Sequence, residues 1–284
     1  MNSLRRHLCS VQRFSCRVHH IALLRTAWTC PNRTSSTGHA QDKSMVYVHQ
    51  TGFTKPGLVP SLTPFGMKLM TYLRMVDIPY QYSKTFKLGP KGKIPWITYK
   101  GQPMGDSGLI MEFLNEEFGV DLDSQLSDKE RAISRAFIKM LEENTYWGIG
   151  YDRWQENYSH LGQLFDVPSA LQLFIFPTAS RKVRQMLHAQ GLGRHSTQEI
   201  HAIIQKDVWA ASEFLGNKPY FMGEEPTAAD PTVFGLFAEF LWTTPEHSHL
   251  YKLTNEQYPN IKDYCLRMKE QYWPDWDEVV GTKR

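Results

Sequence analysis

Residues 92–110, GKIPWITYKGQPMGDSGLI, carry two features that could bind a small peptide. Ile94-Pro95 precedes a β-strand pattern, and an X-Pro bond adopts the cis form at low cost. A cis bond here would turn the Ile94 backbone away from the sheet, so that an extended peptide could pair with it. Asp106-Ser107 precedes a helical pattern, where the first amides and the Ser107 hydroxyl suit a carboxylate and Asp106 suits an ammonium group. An α-amino acid joined to an extended thiol peptide, as in glutathione, has these groups.

The same two residues have a purely structural interpretation. Asp and Ser are common at helix N-termini because their side chains accept hydrogen bonds from the first free amides. Asp106 or Ser107 could therefore serve only as a helix cap. The motif alone leaves both interpretations open.

The elements around this motif predict a small α/β layer. MVYVHQTGF, residues 45–53, is rich in Val and Tyr and predicts a strand, and Thr63 with Pro64 predicts the start of an amphipathic helix. Strands are expected at YQYSKTF, IPWITYK and GQPMG, and the helix SGLIMEFLNEEFG closes the unit. The predicted order is β-α-β-β-β-α with a mixed sheet, over residues 45–121.

Residues 122–284 predict a second, all-α domain. Two capping boxes, Ser127 with Glu130 and Ser196 with Glu199, open helical patterns. The stretch TAADPTVFGLFAEFLW is almost entirely apolar and predicts a core helix, and a further amphipathic helix follows. No strand pattern comparable to the first one occurs after residue 120.

The first 44 residues differ from the rest of the chain. They hold seven of the 32 Lys and Arg residues but only one of the 29 acids, which is typical of a mitochondrial transit peptide. A disordered basic tail, or sequence upstream of a start at Met45, is the alternative, with a cytoplasmic location. The remaining 25 basic and 28 acidic residues give no electrostatic case for nucleic-acid binding.

The cysteine and histidine patterns exclude some chemistry. Cys9, Cys16 and Cys30 fall in the leader, so only Cys265 remains in the body, and dithiol redox chemistry by one chain is excluded. The histidines at positions 188, 195, 201, 247 and 249 do not have the spacing of a metal-ligand framework. We expect them to be solvated or to cap helices, with no metal. No apolar run is long enough to span a membrane.

Nearly all of residues 45–284 resembles the glutathione transferase superfamily. The resemblance rests on Lys93-Ile94-Pro95 and Asp106-Ser107 in a thioredoxin-like pattern, followed by helices that carry PTAAD. It implies that the proline is cis and binds the cysteinyl backbone of glutathione, that the Asp-Ser pair binds the γ-glutamyl end, and that Lys93 approaches the glycyl carboxylate. It also implies that the PTAAD residues Thr227 and Asp230 form a structural capping box.

Three longer stretches narrow the resemblance. PSLTPFGMKLMTYLRMVDIPY, KGKIPWITYKGQPMGDS and GLGRHSTQEI look like the failed axon connections family, whose relatives are the metaxins and the cadmium-responsive transferase-like proteins of nematodes. Family membership implies a transferase fold with roles in axon development or in metal and stress response. It leaves two functions open. One is a glutathione-dependent protein that conjugates or reduces electrophiles, as in detoxification; the other is a non-catalytic module that binds a protein, as a homodimer or in a mitochondrial membrane complex.

The sequence departs from catalytic transferases in two places. Only 11 residues separate Tyr82 from Ile94, too few for the helix that normally helps to enclose glutathione. A transferase also presents a hydroxyl or thiol near the first helix to lower the pKa of the glutathione thiol. Ser61 and Thr63 are the candidates here. Thr63 is equally suited to cap the helix, so Ser61 is expected to be the freer hydroxyl.

Overall fold

The computed structural model describes residues 45–282. Its sheet has four strands: β1 (Val46–Thr51), β2 (Tyr80–Thr85), β3 (Trp96–Tyr99) and β4 (Gln102–Gly105). Their order in the sheet is β2-β1-β3-β4. Strand β1 is parallel to β2 and antiparallel to β3, and β3 is antiparallel to β4, so the sheet is mixed as predicted.

Two helices, α1 (Pro64–Met75) and α2 (Ser107–Phe118), complete the predicted β-α-β-β-β-α order. Val46, Val48 and Ile97 are completely buried, because alternate residues of a strand point to the same face and this face meets the core. Helix α1 begins where Thr63 accepts a hydrogen bond from the Gly66 amide. The predicted thioredoxin-like architecture is confirmed.

The connection between β2 and β3, residues 86–95, contains no helix. It lies over Trp96 instead: the Trp96 indole donates to the Lys87 carbonyl at 3.1 Å. A Cβ on Gly89 would lie 2.5 Å from the Trp96 side chain, so only glycine fits there. The short connection expected from the sequence is therefore present, and it contributes no helix to this part of the fold.

The rest of the described chain is helical, as predicted. Both capping boxes, Ser127 with Glu130 and Ser196 with Glu199, are formed. The α-helices are α3 (Asp128–Met140), α4 (Tyr146–Tyr151), α5 (Leu161–Leu164), α6 (Ser169–Gln190), α7 (Thr197–Leu215), α8 (Asp230–Trp242), α9 (His249–Lys252), α10 (Pro259–Tyr272) and α11 (Trp276–Val280). Three π-helical turns interrupt them at Leu141–Thr145, Asp152–Glu156 and Leu253–Gln257.

Helix α8 runs through the core and packs against α1. Every residue of α8 from Asp230 to Leu241 is buried, in agreement with its almost uninterrupted apolar sequence. The two backbones approach closely at Gly235, where a Cβ would lie 2.6 Å from the Pro64 carbonyl oxygen and 2.8 Å from the Lys68 nitrogen. Within residues 45–282, no helix has the length and apolar character that a membrane crossing requires.

Candidate functional site

The segment Lys93-Ile94-Pro95 lies at the entrance to β3, and the Ile94-Pro95 peptide bond is cis. The Lys93 carbonyl accepts a hydrogen bond from the Gly89 amide at 3.0 Å, which fixes the loop. The Lys93 side chain is exposed. Ile94 precedes the paired residues of β3. Neither of its backbone polar groups is hydrogen-bonded within residues 45–282, so both are available to an extended ligand.

Asp106 occupies the N-cap position of α2. Its Oδ1 accepts hydrogen bonds from the Gly108 amide at 3.0 Å and the Leu109 amide at 3.2 Å. The capping role that the sequence allowed is therefore present. The residue is exposed, however, and its Oδ2 accepts no hydrogen bond from the described residues. One carboxylate oxygen therefore caps the helix while the other can accept from a ligand.

The backbone at Asp106 has φ +82° and ψ 111°. Positive φ is unfavourable for a residue with a Cβ, and such conformations concentrate at ligand and catalytic sites. The residue before it, Gly105, ends β4, and the next one, Ser107, begins α2. This conformation therefore turns the chain from strand to helix within one residue and presents the carboxylate at the surface.

Ser107 is 6% exposed and stands at the first position of α2. Because Asp106 already occupies the Gly108 and Leu109 amides, the donors left at this helix end are the amide and the hydroxyl of Ser107. Neither donates to a group in the described part of the chain. Two donors on one residue, at the positive end of a helix dipole, suit a carboxylate.

The two candidate hydroxyls before α1, those of Ser61 and Thr63, differ from the prediction in which of them is buried. Ser61 is completely buried, and its Oγ accepts from the Thr63 amide at 3.3 Å. It lies against α1, since a Cβ on Gly66 would be 2.3 Å from the Ser61 Oγ. Ser61 is thus the more buried of the two hydroxyls, whereas the sequence predicted it to be the freer one.

Thr63 is the more accessible of the two. Its side chain is partly buried, and its Oγ1 accepts from the Gly66 amide at 2.9 Å as the cap of α1. Accepting this hydrogen bond leaves the hydroxyl proton free to be donated. The capping and thiol-binding roles that the sequence set against each other are therefore compatible.

A buried arginine from the helical part holds the loop before α1. Arg153 donates to the Leu62 carbonyl at 3.0 Å, to Glu239 at 2.7 Å and to Thr243 at 2.9 Å. The Glu239 side chain is completely buried, and burial raises the pKa of its carboxyl although Arg153 opposes this shift. Arg153 therefore connects the loop before α1 with helix α8.

Sequence reasoning missed Lys91, which lies beside the Asp106 motif. A Cβ on Gly105 would lie 3.5 Å from the Lys91 backbone nitrogen and 3.6 Å from its Cβ and Cγ. The Lys91 side chain is exposed and forms no ion pair within the described residues. The signal available was the sequence PKGK, in which two lysines precede Ile94, but spacing alone did not separate them.

The described residues contain no group of three or more His, Cys, Asp or Glu side chains that could hold a metal ion. Cys265 is buried in α10, and burial raises the pKa of its thiol far above the usual value. This thiol therefore stays protonated and takes no part in the site.

Comparisons with known proteins agree with this architecture. The glutathione S-transferase N-terminal domain matches residues 64–160, and the glutathione S-transferase C-terminal domain matches residues 204–268. A crystal structure of a glutathione transferase family member from Pseudomonas fluorescens, with two glutathione bound, has the same fold. Its TM-score is 0.53 at 14% identity, over 86% of this chain and 93% of that one.

Three relatives show which part of the superfamily this chain is similar to. Failed axon connections of Drosophila melanogaster is 32% identical over 84% of this chain, which spans 60% of that protein. Isoprene-epoxide–glutathione S-transferase of Rhodococcus is 28% identical over 78% of this chain and 97% of the enzyme. Mouse metaxin-2 is 22% identical over 74% of this chain and 82% of that protein. The chain therefore belongs to the glutathione S-transferase superfamily, in the branch of the failed axon connections family and the metaxins.

Proposed function

We propose that this protein binds glutathione at the start of α2 and at Ile94, with weak transferase activity. The observation that carries the proposal is the pair of free groups at Asp106-Ser107. The Asp106 Oδ2 accepts no hydrogen bond, and the Ser107 amide and hydroxyl donate none, within the described residues. A γ-glutamyl end offers an ammonium group to the first and a carboxylate to the second.

The rest of the tripeptide would follow the backbone toward α1. The cysteinyl unit would pair with the free backbone groups of Ile94, next to Pro95. Its thiol would then face the N-terminus of α1, where the Thr63 hydroxyl can donate to it. The helix dipole and this hydroxyl both favour thiolate over thiol. Lys93 is an exposed cation on the same loop and would attract the glycyl carboxylate, whereas Lys91, which lies beside Gly105, would be nearer to the γ-glutamyl end.

The electrophile we propose is an epoxide or a related alkyl group. The Rhodococcus relative is named for isoprene epoxide and glutathione, and this chain matches it almost end to end. The thiolate would attack a ring carbon, forming a C–S bond while the C–O bond breaks, and the alkoxide would take a proton from water. Turnover is expected to be weak, because the connection between β2 and β3 contributes no helix that could help to enclose glutathione.

Calorimetry with glutathione and three variants tests the site. Asp106→Asn keeps a capping oxygen but removes the charge that would meet the ammonium group, whereas Ser107→Ala removes one donor to the carboxylate. Each is expected to weaken glutathione binding roughly 10- to 150-fold, since a hydrogen bond to a charged group contributes about 1.5–3 kcal/mol. Asp128→Ala removes a carboxylate at the exposed start of α3 and serves as the matched control.

The outcomes separate the two functions left open by the sequence. Glutathione binding that is lost in Asp106→Asn and retained in Asp128→Ala supports the proposal. If the wild-type protein binds no glutathione at millimolar concentration, Asp106 is only a cap. The second candidate, a non-catalytic module with a protein partner or as a homodimer, then takes its place. It is favoured by the similarity to failed axon connections and metaxin-2, neither of which is named for a reaction.

We further propose that the mature protein is mitochondrial. Residues 1–44, the predicted transit peptide, lie outside the described residues, so the proposal rests on their seven basic residues and single acid. Cell fractionation with N-terminal sequencing is expected to give a start near residues 35–45 in the mitochondrial fraction. An intact Met1 on a cytoplasmic protein would contradict it. The domain limits 45–121 and 122–284 remain predictions that limited proteolysis can test.

A further inference from the structure

A cavity of about 490 Å³ lies in the helical part, apart from the residues discussed so far. It is formed by the π-helical turn Asp152–Glu156, helix α7, the segment before α9 and α9 itself. Its lining residues are all of polar or charged type, and three are histidines: Glu156, Asn157, His201, His247, Ser248, His249 and Lys252. Small-molecule sites fall in this range of volume.

The hydrogen bonds around the cavity fix the orientation of His247. The Asn157 side-chain amide group donates to Asp152 Oδ1 at 2.8 Å, so its Oδ1 must act as an acceptor. The His247 Nε2 lies 2.9 Å from that oxygen and therefore carries a proton. The other ring nitrogen, Nδ1, has no partner within the described residues, and the side chain is exposed.

The other two histidines form a stacked pair. The ring centroids of His201 and His249 are 4.2 Å apart, with planes 12° from parallel. His201 Nε2 lies 2.9 Å from a Glu156 carboxylate oxygen. The Nε2 of His249 is buried and has no partner in the described part of the chain, which is costly for a polar atom. The cavity thus includes a ring nitrogen whose hydrogen-bonding capacity is unused.

The acids around the cavity have hydrogen-bond partners, whereas the ammonium group of its lysine has none among the described residues. Glu156 lies within hydrogen-bond distance of His201, and the buried Asp152 accepts from Ser248 and Asn157. The neighbouring Arg153 is paired with Glu239. Lys252 is exposed and has no ion-pair partner within residues 45–282.

A metal ion does not fit this arrangement, because no three of the described His, Cys, Asp or Glu side chains converge on one point. An anion fits it better. The Lys252 ammonium group has three donors, and the Nδ1 of His247 is left without a partner among the described residues, so that both can contact the oxygens of a protonated phosphate or carboxyl group. The cavity is also larger than a bare phosphate or carboxylate group needs.

We propose that this cavity binds a small organic molecule through its phosphate or carboxylate group, with Lys252 and His247 as the ligands of the anion. Binding should strengthen as His249 gains a proton. Burial, and then the charge of His201, lower the pKa of His249, so that ring gains charge only below its usual range. His160, whose pKa is lowered by burial and then by the charge of His247, is the remaining histidine in this region. The acids that oppose anion binding are Glu156 and Asp152.

Histidine ring proton resonances can be followed during titration with inorganic phosphate, phenyl phosphate and benzoate at pH 6 and pH 8. Saturable shifts of His247 and His249 are expected at pH 6, with weaker binding at pH 8. Phenyl phosphate binding more tightly than inorganic phosphate would show that the organic part is recognised, and a preference for benzoate would assign a carboxylate ligand. Shifts that do not saturate with any of the three probes would overturn the proposal.

Two lysine variants test whether the anion binds in this cavity. Lys252→Gln is expected to weaken phosphate or benzoate binding roughly tenfold or more, since it removes a charge-assisted donor. Lys206→Gln makes the same change at an exposed position of α7 outside the cavity and should leave binding unchanged. Equal binding by the wild type and Lys252→Gln would refute the site. Asp106→Asn should not alter this binding, so the test is independent of glutathione.

Discussion

Arg153→Met is expected to destabilise the protein strongly. The substitution removes the donors to Leu62, Glu239 and Thr243 and leaves the Glu239 carboxylate without its counter-charge. Glu239 is completely buried, and its Oε1 already lacks a partner within the described residues. Removing one partner of a buried ion pair costs about 3–5 kcal/mol. For a protein of this size the midpoint of thermal unfolding should fall by about 6–20 °C.

The double variant Arg153→Met/Glu239→Leu separates the ion pair from the surrounding packing. Replacing both members of a buried pair with apolar groups is often close to neutral. The Leu62 carbonyl still loses its donor, which costs about 1–3 kcal/mol when the group is buried. We therefore expect the double variant to be more stable than Arg153→Met and less stable than the wild type. Thermal unfolding of all three proteins measures this order.

Unfolding of Arg153→Met at the wild-type temperature would contradict this prediction, since the pair would then be hydrated. A double variant less stable than Arg153→Met would also contradict it, since packing rather than charge would then dominate. The same double variant tests the loop before α1. Glutathione binding at Asp106 should be nearly unchanged, while any turnover should fall, because Leu62 directly precedes Thr63.

Two further predictions concern the core helix α8. Gly235→Ala should destabilise the protein by about 1–3 kcal/mol or more, because the added Cβ would meet the α1 backbone at Pro64 and Lys68. An unchanged midpoint of thermal unfolding would show that α1 and α8 can move apart at no cost. Asp230→Ala should lower the free energy of unfolding in urea by about 3 kcal/mol or more, because the buried carboxylate accepts hydrogen bonds from Phe221, Thr227 and Tyr264. A decrease below about 1 kcal/mol would mean that water replaces the carboxylate as the acceptor.

The sequence predicted those parts of the fold that depend on local chemistry. The caps at Ser127 and Ser196 and the apolar pattern of α8 each follow from a short stretch, and each is present. Thr227 and Asp230 were predicted as a reciprocal capping box. The Asp230 carboxylate does accept from the Thr227 amide and hydroxyl, but the Asp230 amide donates to the Thr227 carbonyl rather than to its hydroxyl.

The orientation of side chains within loops could not be predicted from the sequence. Ser61 and Thr63 are hydroxyl residues two positions apart, and nothing local shows which one turns inward. The close packing of Gly66 against the Ser61 Oγ decides it, and that contact depends on how α1 settles on the loop. Asp106 is the contrasting case: its position after a short strand and before a helix predicted the cap, but not the positive φ that exposes the second carboxylate oxygen.

The π-helical turn Asp152–Glu156 connects both candidate sites, and no sequence pattern indicated it. A π-helical turn widens the helix by one residue, so side chains that an α-helix would place on one face diverge, and such turns are frequent at functional sites. Arg153 is directed toward Leu62 and the loop before α1, whereas Asp152 and Glu156 contact Ser248 and His201 at the cavity. A substitution that restores regular α-helical geometry here should therefore disturb both sites, whereas Lys252→Gln should disturb the cavity alone.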